Sequence, residues 1–182
     1  MEQKIIDAAF KLIKDKGIKK LNMDDVSREL RISKKTIYKH FESKQHLIVS
    51  ILEDFIQKNY RETEKTLKGE ENWQKKVKGL VASSYAVPMR LLIEIRRDHP
   101  EQWLKIEALD KKKIESFYGL MLQGEAQKEM NPEIRHEIVA PMLKEMMNVL
   151  LRMEFSDEHN WTMRQIYGQL SEILLYGIVK RV

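Results

Sequence analysis

A 182-residue chain with only 7 glycines and 4 prolines has few places to stop a helix, and that scarcity constrains its fold more than any other feature. Apolar residues recur every three or four positions along most of it, and no convincing run alternates apolar with polar. The expected fold class is all-α, with about nine helices. Cysteine is absent, which excludes a disulfide framework and any Cys-based zinc site. No run approaches the roughly 18 apolar residues of a membrane span. The opening MEQKIIDAAFKLIKDKG mixes charges with apolar residues at helical spacing, unlike a signal peptide. A cytoplasmic location is expected.

Local signals place the elements. Ile5, Ile6, Ala9, Phe10, Leu12 and Ile13 form the stripe of a first helix over Lys4 to Lys16, with Gly17 as its C′ residue. Asn22 is suited to cap a second helix, with Asp24 and Asp25 near its positive end and Val26 and Leu30 on its buried side. Ser33 is suited to cap a third, ending near Phe41. Ser43 opens a long fourth helix that runs to about Leu67. The second and third helices lie close enough in sequence to form a helix-turn-helix packed on the first. Further helices are expected over Trp73–Val87, from Pro88 onward, and over Glu101 to about Lys128. Two more are expected from Pro132, with a kink at Pro141, and from Trp161 to Val179. The apolar MRLLIEI segment after Pro88 belongs in the middle of the body. The motifs divide the chain into a helix-turn-helix domain, 1–46, and a larger helical domain, 47–182, joined by the stiff fourth helix.

Charge sharpens this division. Residues 1–50 hold 12 Lys/Arg and 7 Asp/Glu, a net of +5, while residues 51–182 hold 21 and 21. The whole basic excess thus lies on the first segment, as a polyanion-binding module requires. It is densest in SKKTIYKHFESK, Ser33–Lys44, with four lysines, one histidine, one threonine and one tyrosine against one acid, Glu42. Ile37 and Phe41 sit four apart and share the buried face of a short helix. Lys34, Lys35, Thr36, Tyr38, Lys39 and His40 are left mainly on the other faces, where they can meet phosphate oxygens or base edges.

Residues 3–52 resemble the DNA-binding domain of TetR/AcrR-type regulators. The resemblance rests on IIDAAFKLIKDKG, NMDDVSREL and ISKKTIYKHFESKQHL. It implies that Thr36, Tyr38 and His40 contact the DNA backbone and that Lys44 grips phosphate at the start of the fourth helix. Lys34, Lys35 and Lys39 occupy the family's variable recognition positions and are the candidate base readers. Tyr38 also has a purely packing alternative. Two departures stand out. Arg31 replaces the usual glycine of the inter-helix turn, where φ > 0 would strain it. Leu30 replaces the usual small residue of the second helix. The resemblance further implies a homodimer through the last two helices, double-stranded DNA as partner, and a ligand-binding body.

For that body, eight of ten methionines lie after residue 88, which suits a pocket for a small apolar or amphipathic ligand. Tyr85, Met89, Trp103, Phe117, Tyr118 and Met121 are the candidate lining, with plain core as the alternative reading. Arg90 and Glu94, four apart, form either a pair meeting a ligand's polar head or a surface ion pair. The single Glu133-x-x-His136 falls short of a di-iron set, and the Glu125, Glu129, Glu133, Glu137 repeat suits a solvated face. No phosphate loop or nucleophile motif appears, so no cofactor, metal or enzymatic activity is expected. The leading expectation is a ligand-released repressor acting on a palindromic operator. The alternative is a partner-binding regulator on the same scaffold without a small-molecule ligand.

Overall fold

The computed structural model describes residues 1–83, 85–129, 131, 133, 135, 137–139, 141–142, 145 and 161–178, without the side chains of 171 and 174–178. Among these residues eight α-helices have bounds at both ends, residues 137–139, 141–142 and 145 are also helical, and there is no strand. The eight are α1 (Glu2–Lys16), α2 (Met23–Leu30), α3 (Lys34–Tyr38), α4 (Lys44–Lys68), α5 (Trp73–Ala82), α6 (Met89–Asp98), α7 (Pro100–Ala126) and α8 (Met163–Ile178). No helix among the described residues is long and apolar enough to cross a membrane.

The chain divides into two compact units. The first comprises Met1–Lys58 with Arg90–Lys105, and the second Asn59–Met89 with Ile106–Val182. This division by packing differs from the motif boundary at 46/47. It follows buried surface, and α4 buries Leu47, Ile48, Ile51, Leu52, Phe55 and Ile56 beyond that boundary.

In the first unit the sequence signals act locally as expected. Asn22 accepts the Asp24 N–H at 3.0 Å, and Ser33 accepts the Thr36 N–H at 3.1 Å. Ser43 accepts the His46 N–H at 3.0 Å at the start of α4. Gly17 closes α1 at φ 88°, ψ 163°, a region open to little but glycine. The core gathers Ile5, Ala9 and Ile13 of α1, Val26 of α2, Ile37 of α3 and Leu47 and Ile51 of α4.

The MRLLIEI segment is buried as expected, through Met89, Leu91, Leu92 and Ile95. From Arg90 onward, however, it belongs to the first unit rather than to the middle of the body. The reason lies on its polar face. Arg90 Nη2 donates to the carbonyls of Lys14 and Asp15 at 2.8 and 2.9 Å. Glu94 Oε2 accepts the Ile18 N–H at 2.7 Å, and Asp98 pairs with Lys19 at 3.7 Å. Arg90 and Glu94 thus reach the end of α1 and the turn after it rather than each other.

In the second unit Trp73, Val77 and Leu80 of α5 pack with Leu120 and Met121 of α7 and with Val139, against Leu67 and Phe117. α8 also packs on α5. The helix expected over Trp73–Val87 ends at Ala82. The residues that follow make other bonds. Met163 and Arg164 donate their N–H groups to Val87 and Tyr85, and Met89 donates to Trp161. Pro88 disfavours helix in the residue before it, which releases this stretch for that pairing. Glu129, expected on a solvated face, accepts the Trp73 indole N–H at 2.6 Å. Pro141 is helical, while Pro132, Ile134, His136, Met146, Met153 and His159 lie outside the described residues.

A Cβ at Gly17 would stand 2.6 Å from Glu94 Oε1. Gly17→Ala should therefore cost about 1–3 kcal/mol in urea unfolding, through strain and the displaced Glu94. An unchanged midpoint would show that the turn adapts freely.

Candidate functional site

The basic stretch forms a short helix with an exposed polar surface. Ile37 and Phe41 are fully buried, and α3 packs on α2. Lys35, Tyr38, Lys39 and His40 are exposed, Tyr38 by 47%. The turn before α3 places Arg31 at φ 54°, ψ 41°, the left-handed conformation that its position suggested. It holds because the turn is bonded on both sides. The Arg31 and Ile32 N–H groups go to Arg28 and Ser27, and the Ser27 hydroxyl donates to the Ile32 carbonyl.

The candidate DNA contacts are not equivalent. Lys34 pairs with Asp24 of α2 at 2.6 Å. Lys44 donates to the Lys19 carbonyl at 3.3 Å, between α1 and α2. Thr36 is half-buried, and its hydroxyl lies 2.9 Å from that of Ser33. No ion pair among the described residues engages Lys35 or Lys39. Two of the three candidate base readers are thus outside any ion pair among the described residues, the third is held by an acid, and Lys44 is anchored with N–H groups to spare. Glu42 donates its N–H to His46 Nδ1 at 3.3 Å, and the His46 ring meets Phe41 edge-on at 5.7 Å. Sequence reasoning passed over His46, although it fixes the joint between α3 and α4.

The candidate pocket residues fall in both units. Arg90, Glu94 and Trp103 belong to the first, and Arg96 lies over the Trp103 ring at 5.8 Å. Tyr85, Met89, Phe117, Tyr118 and Met121 belong to the second. There Met121 and Phe117 serve the α5–α7 core, Tyr118 is half-buried, and Tyr85 is fully buried beside polar company. Lys113, also buried, donates to the Ser83 carbonyl at 3.2 Å and sits 4.7 Å from the Tyr85 ring centre. Burial lowers its ammonium to about 8, against the pull of Asp110. Burial raises the Asp110 carboxyl to about 6, against Lys113 and the Tyr85 hydroxyl. It also pushes the Tyr167 hydroxyl well up, with Asp110 adding to the rise. Sequence reasoning missed Asp110, Lys113 and Tyr167.

Residues 5–51 match the family model described as bacterial regulatory proteins, tetR family. A Bacillus subtilis (strain 168) protein, the uncharacterized HTH-type transcriptional regulator YvaF, is 27% identical over 184 residues, covering 98% of this chain and 95% of that protein. Among solved structures, a putative transcriptional regulator from Saccharomonospora viridis in complex with choline superposes with a TM-score of 0.72 at 16% identity, over 99% of this chain and 98% of that one. The ketosteroid transcriptional regulator KstR2 of Mycobacterium tuberculosis gives 0.65 at 18% identity, over 99% and 95%. These structural matches establish the all-helical fold.

Asp24→Asn should free Lys34. DNA binding should then tighten, and the salt dependence should steepen by up to about one charge, measured by titration at several salt concentrations. Unchanged affinity and slope would remove Lys34 from the DNA contacts.

Proposed function

We propose that this chain, a DNA-binding transcriptional regulator with a TetR-family amino-terminal domain, acts as a ligand-released repressor and a homodimer. Each subunit lays α3 in a major groove, and two subunits reach the half-sites of a palindrome in the cytoplasm. The observation that carries this reading is the Ser33-capped helix, which buries Ile37 and exposes Lys35, Tyr38, Lys39 and His40. Lys35 and Lys39 read base edges, lysine favouring guanine O6 and N7. Lys34 joins them once Asp24 gives way. Thr36, Tyr38, His40 and Lys44 position the backbone, Lys44 beside the α4 N-terminus.

Support for the homodimer comes from apolar side chains left open on the second unit. Ile173 of α8 is 69% exposed, Ile138 57% and Met142 51%. Pairing the last two helices with their copies would cover them. Support for a ligand comes from the choline complex of the Saccharomonospora viridis relative in fold.

Release needs a route, and α6 offers one. Its Arg90, Glu94 and Asp98 hold the end of α1, while the segment before it is bonded to residues 161–164. A ligand that favours a second arrangement of that segment would change how α1 is held. It acts as an effector only in so far as it binds the two states unequally. Half-sites lie about 34 Å apart, so a small change in head spacing suffices.

Selection of bound sequences from random DNA tests the assignment. Replacing Lys35 or Lys39 by Ala should change the selected motif, and an unchanged motif would move both residues to the backbone. Lys44→Ala should weaken all sequences alike and flatten the salt slope by about one charge. Heat stabilisation by small apolar compounds separates a ligand-released repressor from a partner-controlled regulator, for which none would stabilise.

A further inference from the structure

The second unit holds charges that its core does not need. Asp110 and Lys113 lie three apart on α7, among buried Ile106 and Leu109, and α8 buries Met163 and Ile166 beside Tyr167. Oδ1 of Asp110 is buried and has no hydrogen-bond partner among the described residues. Lys113 does not supply one. Its ammonium is turned to the Ser83 carbonyl and the Tyr85 ring, and no ion pair among the described residues joins it to Asp110. A buried carboxylate oxygen without a donor is costly to keep, and a hydrogen-bonded cation relieves that cost.

We propose that Asp110, flanked by the Tyr85 and Tyr167 rings, recognises a ligand with a protonated amine as its polar head and an apolar body. The inference rests on the reading that this unit senses a small molecule. The Tyr85 hydroxyl faces the carboxyl as a neutral group and Lys113 acts on it only from a distance; an ammonium brings donor and charge together at Oδ1, and aromatic rings favour a cation nearby. A carboxylate head would meet Asp110 as a like charge. A hydroxyl would donate but leave the charge unpaired. Lys113 opposes a second cation, so its removal should help.

The groups facing the carboxyl are Lys113 and Glu107 of α7, Tyr85 before α6, and Tyr167 of α8, with Arg164 of α8 acting on Lys113. Below the Asp110 value of about 6 the carboxyl is protonated, while Lys113 keeps its charge up to about 8. Affinity for an amine should therefore rise with pH between 5 and 7 by about tenfold, the gain in ionised carboxyl.

Calorimetric titration of the full chain without DNA, using octylamine, octanol and octanoate, tests this. Octylamine should bind, with the other two at least about tenfold weaker. Asp110→Asn should weaken octylamine about tenfold or more and flatten its pH dependence, and Lys113→Met should strengthen it severalfold. A merely structural role for Lys113 would weaken it instead. Octanoate binding as tightly as octylamine, no octylamine binding, or indifference to both substitutions would overturn the proposal. Should Asp110→Asn fail to fold, the Lys113→Met result decides. Octylamine that binds through Asp110 yet leaves operator DNA bound would uphold this site and sink the ligand-release reading.

Discussion

The bond from the Ile18 N–H to Glu94 joins residues 76 apart in sequence, and the DNA-binding unit depends on it. A helix end leaves carbonyls and nearby N–H groups unsatisfied, and burying them without partners costs about 1–3 kcal/mol each. α1 ends on Gly17 with a backbone that points the Ile18 N–H outward, and α6 supplies the acceptor. One turn away Arg90 takes the Lys14 and Asp15 carbonyls, where a cation also suits the negative end of α1. Glycine at 17 is needed twice, for its backbone conformation and because a side chain would occupy the space of the Glu94 carboxylate. The three-helix head is therefore complete only with α6 in place.

This arrangement makes α6 a working part of the head, although the motifs place it well inside the other domain, 47–182. A separate reading domain would be indifferent to what happens 76 residues downstream. Here the carbonyls of α1 are partnered by a helix whose preceding residues are bonded elsewhere, through Met163, Arg164 and Trp161. Coupling then needs only two arrangements of one helix, each satisfying the same backbone groups differently.

Much of the head was legible in the sequence because its signals are local. Asn22, Ser33 and Ser43 cap the helices that follow them, and Arg31 takes the left-handed turn that a glycine would occupy. Arg90 and Glu94 stood out as charges on an apolar segment. Spacing shows that two residues share a face, however, and does not show what stands opposite. Asp110 and Lys113 were passed over for a related reason. In LDKKKIE they look like the solvated face of a long helix, and only the packing of α7 reveals that Lys113 is buried and Lys111 exposed. The end of α5 was missed because Ser83 to Val87 carries no glycine, and its bonds go to residues far along the chain.

The charges of Asp110, with its buried Oδ1, and of the buried Lys113 bear on why the body exists. With its carboxyl raised to about 6, Asp110 favours folding below its unfolded value near 4, and that advantage is lost as pH rises through 6. Lys113, lowered to about 8, disfavours folding at neutral pH and is relieved as pH rises from 8 toward its unfolded value. Near pH 7 both therefore cost stability together, a cost that apolar residues of similar volume would avoid. The Lys34–Asp24 pair differs in kind. It is half-exposed, so water screens it and its breaking is cheap. A charge on the surface can exchange partners at little cost. A charge kept at a loss in the interior suits a role that the folded chain alone does not fulfil.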